Sequence, residues 1–276
     1  MEWATPVSLT VRAGKLAFDN RHTIQRYWTL AKAYLDTGST QIVITGMPGA
    51  GKSVLNAQMH GRARDLYFEE PGESTKVETD AVTLGQWTKL VRVLPGQAGY
   101  RSHGEIEAFQ NNANLEGVIH VVDFGFSCPR DSVVAESLIE NDGLDSIVKL
   151  RERNLSLEVD ALKLELANIR KLLAQHSSLK WLLIAVNKVD LYPSQRESAL
   201  RHYHPDGDSA FGAALRSLQH DVGKGNLGIY IAGSCAYEAD FKWNEVVAPS
   251  SLPRQEQDLI LRDFMKTVAM ITRIHE

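Results

Sequence analysis

Gly46-Met47-Pro48-Gly49-Ala50-Gly51-Lys52-Ser53 follows the apolar run Gln41-Ile42-Val43-Ile44-Thr45 and precedes a helical pattern reaching about Ala63. The stretch satisfies GxxxxGK[ST] in a strand–loop–helix setting. Glycines let the backbone curl so that successive N–H groups face an anion, at a helix N-terminus whose dipole favours negative charge. The pattern predicts that the backbone from Gly46 through Val54 cradles phosphates. Lys52 would reach the β- and γ-phosphates, and the Ser53 hydroxyl would ligate Mg²⁺. By itself the loop specifies a nucleoside triphosphate and leaves the base open; a glycine-rich turn without a ligand is the alternative.

Working outward, apolar strands are expected at 117–122, 181–186 and 227–232, and two more at 76–84 and 88–94 joined by Gly85-Gln86. Helical spacing marks 155–175, 210–218 and 258–274. Strands separated by helices imply an α/β fold with a mostly parallel sheet, six strands here, and helices on both faces. The tight 76–94 pair contributes one antiparallel strand. Residues 7–18 could form a short hairpin, and 22–35 reads as an amphipathic helix closed by Gly38.

The base is argued by Asn187-Lys188-Val189-Asp190, directly after the strand at 181–186. A carboxylate there accepts hydrogen bonds from guanine N1–H and the exocyclic N2 amine. Adenine offers no such donor pair, so the wrong base leaves a desolvated carboxylate unpaired. Ser234-Cys235-Ala236 ends the strand at 227–232, where a backbone N–H can meet guanine O6. Cys235 reads as structural, since nothing near it in sequence marks an activated thiol.

These three elements, in this order, resemble the Ras-like small GTPases. Val77-Glu78-Thr79 and Gly117-Val118-Ile119-His120-Val121-Val122-Asp123 look like strands of Arf-type members. The resemblance covers roughly 40–125 and 155–275. It implies a Ras-like P-loop G domain, with GTP/GDP and Mg as ligands and protein effectors or regulators bound through switch loops and insertions. Leu94-Pro95-Gly96-Gln97 falls at the second switch, where the Gly96 N–H would sense the γ-phosphate and Gln97 would orient the attacking water. Thr75, with Ser74 as fallback, takes the place of the first-switch threonine that meets both metal and phosphate. Slow GTP hydrolysis follows, as a switch; a GTP-binding scaffold with little hydrolysis and an ATP-dependent P-loop protein are the alternatives.

The pattern also departs from the family. Val93 stands where the DxxGQ motif has its aspartate, which is similar to the PGQ switch of bacterial gliding-motility (polarity) GTPases. Pro48 replaces a common P-loop glycine and donates no N–H. Arg62, Arg64 and Arg101 are candidates for an arginine finger in cis. Against the family, residues 1–39 are an N-terminal extension, and 40–276 a G domain with insertions near 127–154 and 192–208. The first insertion suits an added helix or a docking surface. In the second, His202-Tyr203-His204-Pro205-Asp206 lacks zinc-like spacing and reads as a polar loop. Asp123 could mimic a Walker B carboxylate, but a loop-capping role is preferred.

Composition bounds the rest. Across 276 residues, 30 Lys+Arg against 34 Asp+Glu give a net charge of −4, which argues against a dedicated nucleic-acid binder. No apolar stretch approaches the ~18 residues of a transmembrane span. The stretch 1–6 has no basic or apolar signal-like region, Glu2 argues against N-myristoylation and 273–276 hold no prenylation cysteine, so neither a secretory leader nor a lipid anchor is expected. Cys128 and Cys235 suggest no disulfide framework, so a cytoplasmic location is expected.

Overall fold

β1 (Ile42–Gly46) is buried along its whole length, because neighbouring strands flank it on both edges. A computed structural model describes residues 41–60, 78–84, 87–95, 109, 112–129, 131–175, 178–223 and 225–275. The expectations for 1–39, Ser74, Thr75, Gly96, Gln97, Arg62, Arg64 and Arg101 lie outside these residues.

The remaining strands of the main sheet are β2 (Glu78–Leu84), β3 (Trp87–Val93), β4 (Gly117–Val122), β5 (Trp181–Val186) and β6 (Gly228–Gly233). Their order is β2-β3-β1-β4-β5-β6. Every pairing is parallel except β2 with β3. This is the α/β architecture expected of a Ras-like G domain, with one antiparallel strand at an edge. The helices are α1 (Lys52–Met59), α2 (Ser132–Glu140), α3 (Ile147–Gln175), α4 (Arg196–His202), α5 (Ala210–Val222) and α6 (Arg254–Ile274). A separate hairpin pairs β7 (Phe241–Trp243) with β8 (Val246–Ala248).

Alternation along the strands sends side chains to two cores. Ile42, Ile44, Val91, Val93, Ile119, Val121, Leu183 and Ala185 meet α1 and α6 through Val54, Leu55, Phe264, Val268 and Ile271. Val43, Val118, Val122, Leu182, Ile184 and Val186 meet α3 and α5 through Leu162, Leu166, Ile169, Phe211 and Leu215. Helices therefore cover both faces, as two-sided burial of a parallel sheet requires.

Three expectations need correction. The helix foreseen at 155–175 begins at Ile147: Ile147 and Leu150 reach the core, but Arg151, Asn154 and Glu158, which bond the turn after β4, interrupt the apolar spacing. The helices foreseen at 210–218 and 258–274 extend to Val222 and back to Arg254. The 202–206 segment is not wholly polar: Tyr203 is fully buried in the core beside Phe211. Among the described residues no group of acidic, His or Cys side chains could hold a metal there, and both cysteines are free.

Within the segment read as the first insertion, residues 132–154 form α2, a short link and the start of α3. The link is tied to the small hairpin by Trp243 Nε1, which donates to the Leu144 carbonyl at 2.6 Å. Among the described residues no helix is long and apolar enough to cross a membrane.

Gly117 at the start of β4 shows how closely the sheet is packed. A Cβ at this position would lie 2.0 Å from Cζ2 of the buried Trp181 on β5. Overpacking of this kind costs about 1–3 kcal/mol. Gly117→Ala should lower the urea midpoint accordingly; an unchanged midpoint would show that Trp181 can repack.

Candidate functional site

β1 ends at Gly46 and α1 begins at Lys52, so the five intervening residues must turn sharply. Gly46, Gly49 and Gly51 all have positive φ, at 135°, 78° and 91°. At Gly51 the requirement is also steric, since a Cβ would stand 2.4 Å from Asn187 Nδ2. The first turn of α1 has no side-chain cap and no acidic residue. A helix N-terminus of this kind suits an anion, through the dipole and the N–H groups of the first turn. Lys52 Nζ donates to the carbonyls of Gly46 at 3.0 Å and Met47 at 2.8 Å, folding across the loop. Pro48 is exposed, and Ala50 is buried. Val54 packs its side chain into the core, leaving only its backbone for a ligand.

The Asn187–Asp190 segment leaves the end of β5 beside this loop. Asn187 Nδ2 donates to the Ala50 carbonyl at 2.9 Å. Its Oδ1 accepts from Ser234 Oγ at 3.0 Å and from the Ala236 N–H at 3.2 Å. One amide therefore joins the glycine-rich loop, the end of β5 and the loop after β6. Gln58 Nε2 on α1 adds a second tie, donating to the Ala236 carbonyl at 2.9 Å.

Lys188 adopts the left-handed conformation (φ 57°) and turns its side chain back over the site. Its Nζ donates to the Gly49 carbonyl at 2.8 Å, to Asp123 Oδ2 at 2.7 Å and to the Phe126 carbonyl at 2.6 Å. Asp123 also accepts from Ser127 Oγ at 2.6 Å, so it organises the turn after β4, in keeping with the loop-capping expectation.

Asp190 is buried. Its Oδ1 accepts from Cys235 Sγ at 3.2 Å, and its Oδ2 has no hydrogen-bond partner. Burial, followed by the neighbouring Asp190 charge, pushes the Cys235 thiol upward, away from thiolate chemistry. The predicted residues Gly46 to Ser53, Asn187, Lys188, Asp190, Ser234, Cys235 and Ala236 are thus gathered at the C-terminal ends of β1, β5 and β6. This is where ligands bind in open α/β sheets.

Several supporting residues carried no sequence signal. Asn154 Nδ2 donates to the carbonyls of Gly125 at 2.9 Å and Ser127 at 2.6 Å. Arg151 lies over the rings of Phe124 and Phe126 at 4.7 Å and 4.3 Å. Glu158 Oε1 accepts the N–H groups of Asp123 at 3.2 Å and Gly125 at 3.1 Å, and Tyr203 Oη donates to Oε2. All three project from α3 onto the turn that Lys188 grips. Ser53 Oγ donates to Glu78 Oε1 on β2 at 3.0 Å, a further contact unforeseen in the sequence.

No protein-family model and no curated protein matches the sequence. Solved structures do resemble it. The mammalian SRP receptor is 14% identical, with 84% of this chain and 99% of that chain covered and a TM-score of 0.46. The Arl6 BBS3 small GTPase from Trypanosoma brucei, with bound nucleotide analogue GppNp, is 14% identical, with 83% and 98% covered and a TM-score of 0.39. Likeness at this level assigns no activity, so the chemistry must follow from the residues themselves.

Glu158 provides a pH signature of the site's support. Burial, then the charge of Asp123, raises its carboxyl from 4.5 to about 8. The folded chain therefore holds a proton that the unfolded chain releases, and this contribution to stability falls as pH rises from about 4.5 through about 8. Glu158→Gln keeps the amide contacts and removes the titration. Denaturant unfolding from pH 5 to 8 should show the wild type losing stability relative to the variant; parallel curves would contradict the assignment.

Proposed function

We propose that the chain binds GDP and GTP with Mg²⁺, selects guanine through Asp190, and hydrolyses GTP slowly as a molecular switch. The observation carrying this reading is the buried Asp190 carboxylate, whose Oδ2 lacks a partner at the place where the loops after β1, β5 and β6 converge. A buried carboxylate with an unused acceptor costs free energy, and a base presenting two N–H donors offsets that cost. Guanine has such a donor pair on its N1 and N2 edge; adenine does not.

The glycine-rich loop supplies phosphate contacts from the backbone between Gly46 and Val54. Lys52 would exchange its present acceptors, the Gly46 and Met47 carbonyls, for phosphate oxygens. The oxygen donors present, the Ser53 hydroxyl backed by a carboxylate, suit a hard cation such as Mg²⁺. Bound there, Mg²⁺ would supply positive charge to the phosphate oxygens. Ala236 N–H now serves Asn187, and it would turn to guanine O6 when a base arrives.

By resemblance, Thr75 adds a contact to metal and phosphate, the Gly96 N–H reads the γ-phosphate, and Gln97 orients water. Ordering of these segments around the γ-phosphate would create the surface that a protein effector reads. A cytoplasmic site of action accords with such a switch.

A second reading, a GTP-binding scaffold with little turnover, is favoured by one observation. Val93 occupies the position where a carboxylate is expected and is buried among Ile44, Val91 and Val121.

Two measurements test these readings. Asp190→Asn should weaken GDP binding on the order of a hundredfold, about 3 kcal/mol, because it places a donor against a donor. A displacement assay preferring ADP, or indifferent to this change, would overturn the guanine assignment. Single-turnover phosphate release should fall when Gln97 becomes Ala. Equal near-background rates for wild type and variant would leave the scaffold reading standing.

A further inference from the structure

We propose that Glu78 is the carboxylate that orients Ser53 toward a divalent cation, supplying from β2 the group that β3 lacks at Val93. This rests on the magnesium–nucleotide reading above and extends it to a residue with no assigned role.

The register of the antiparallel pair carries the argument. Glu78 opens β2 and stands directly opposite Val93, the last residue of β3. A carboxylate lost at the end of β3 is therefore replaced at the adjoining position on the neighbouring strand. Its Oε1 accepts the Ser53 hydroxyl proton at 3.0 Å, in a partly buried setting where the contact is poorly screened. A hydroxyl has one hydrogen and two lone pairs. A hydroxyl that gives its hydrogen to a carboxylate meets a hard cation through its lone pairs. The negative charge behind the ligand also raises its donor strength, the usual task of an outer-shell carboxylate.

Asp80 supplies an internal comparison. Two residues along β2 it shares the face of Glu78, and its Oδ2 accepts from Asn56 Nδ2 at 2.8 Å and lies 3.2 Å from His60 Nε2. Asn56 is one turn beyond Ser53 on α1. The two acidic residues thus make similar ties between β2 and α1, but only Glu78 reaches the residue that follows Lys52. A merely structural tie would make the two equivalent; a cation-orienting role separates them.

The test uses the full chain loaded with fluorescently labelled GDP, with nucleotide release followed from EDTA to millimolar Mg²⁺. Mg²⁺ should slow release from the wild type. Glu78→Gln should need about tenfold more Mg²⁺ for the same slowing, the scale of loss when an outer-shell partner is removed. Its release rate in EDTA should match the wild type. Glu78→Asp, which keeps the charge on a shorter arm, should shift the midpoint less and serves if the Gln variant does not fold. Asp80→Asn should lower thermal stability while keeping the wild-type Mg²⁺ midpoint.

A wild-type midpoint in both Glu78 variants, or equal shifts in the Glu78 and Asp80 variants, would overturn the proposal. Tight GDP binding by the wild type with no response to Mg²⁺ would also overturn it while leaving nucleotide binding intact. Failure of the wild type to bind labelled GDP at all would instead remove the functional reading on which it rests.

Discussion

The Asn187 side chain is the constraint around which the site is assembled. It donates to the Ala50 carbonyl and accepts from Ser234 Oγ and the Ala236 N–H, so three loops separated by long stretches of chain share one planar group. An amide carries both donors and a two-lone-pair acceptor, which an aspartate or leucine of similar size does not. The glycine at position 51 belongs to the same constraint, since a larger residue would push Asn187 Nδ2 away. Main-chain curvature at one loop and side-chain placement at another are thereby coupled through a single contact.

Around this contact a second layer ties the glycine-rich loop to the turn after β4. Lys188 spans Gly49, Asp123 and Phe126, and α3 secures that turn from behind with Arg151, Asn154 and Glu158. The buried charges are compensated in part: Asp123 is matched by Lys188 at 2.7 Å, while Glu158 beside it takes a proton more readily than an exposed carboxyl. Two carboxylates this close would repel if both were ionised, so neutralising one by cation and the other by proton is the low-cost arrangement. The extension of α3 to Ile147 is therefore part of the site's support, and not a surface addition separate from it.

Much of this was legible in the order of residues. The glycines of 46–51 announce a turn that only positive φ can close, and the apolar runs at 42–46, 117–122 and 181–186 announce buried parallel strands. Periodicity located α3 but not its first two turns, because the core-facing Ile147 and Leu150 are followed on the same face by Asn154 and Glu158, polar residues that break the apolar spacing. Tyr203 looked like part of a polar loop because its neighbours are His202 and His204; only packing against Phe211 and Glu158 reveals it as core.

The sequence by itself determined the strand–loop–helix motif, the alternation of strands and helices, and the residue types at the glycine-rich loop and after β5 and β6. These depend on local backbone preference and short-range periodicity, which adjacent residues carry. What only the tertiary structure decided is which groups meet across distance. Glu78 faces Val93 and reaches Ser53 because the β2–β3 register brings it there. Asp190 meets Cys235 through Oδ1 because β5 and β6 lie side by side, and among the described residues no donor reaches its buried Oδ2. Register and burial are properties of the assembled sheet, and a carboxylate's role follows from its surroundings more than from its place in the chain.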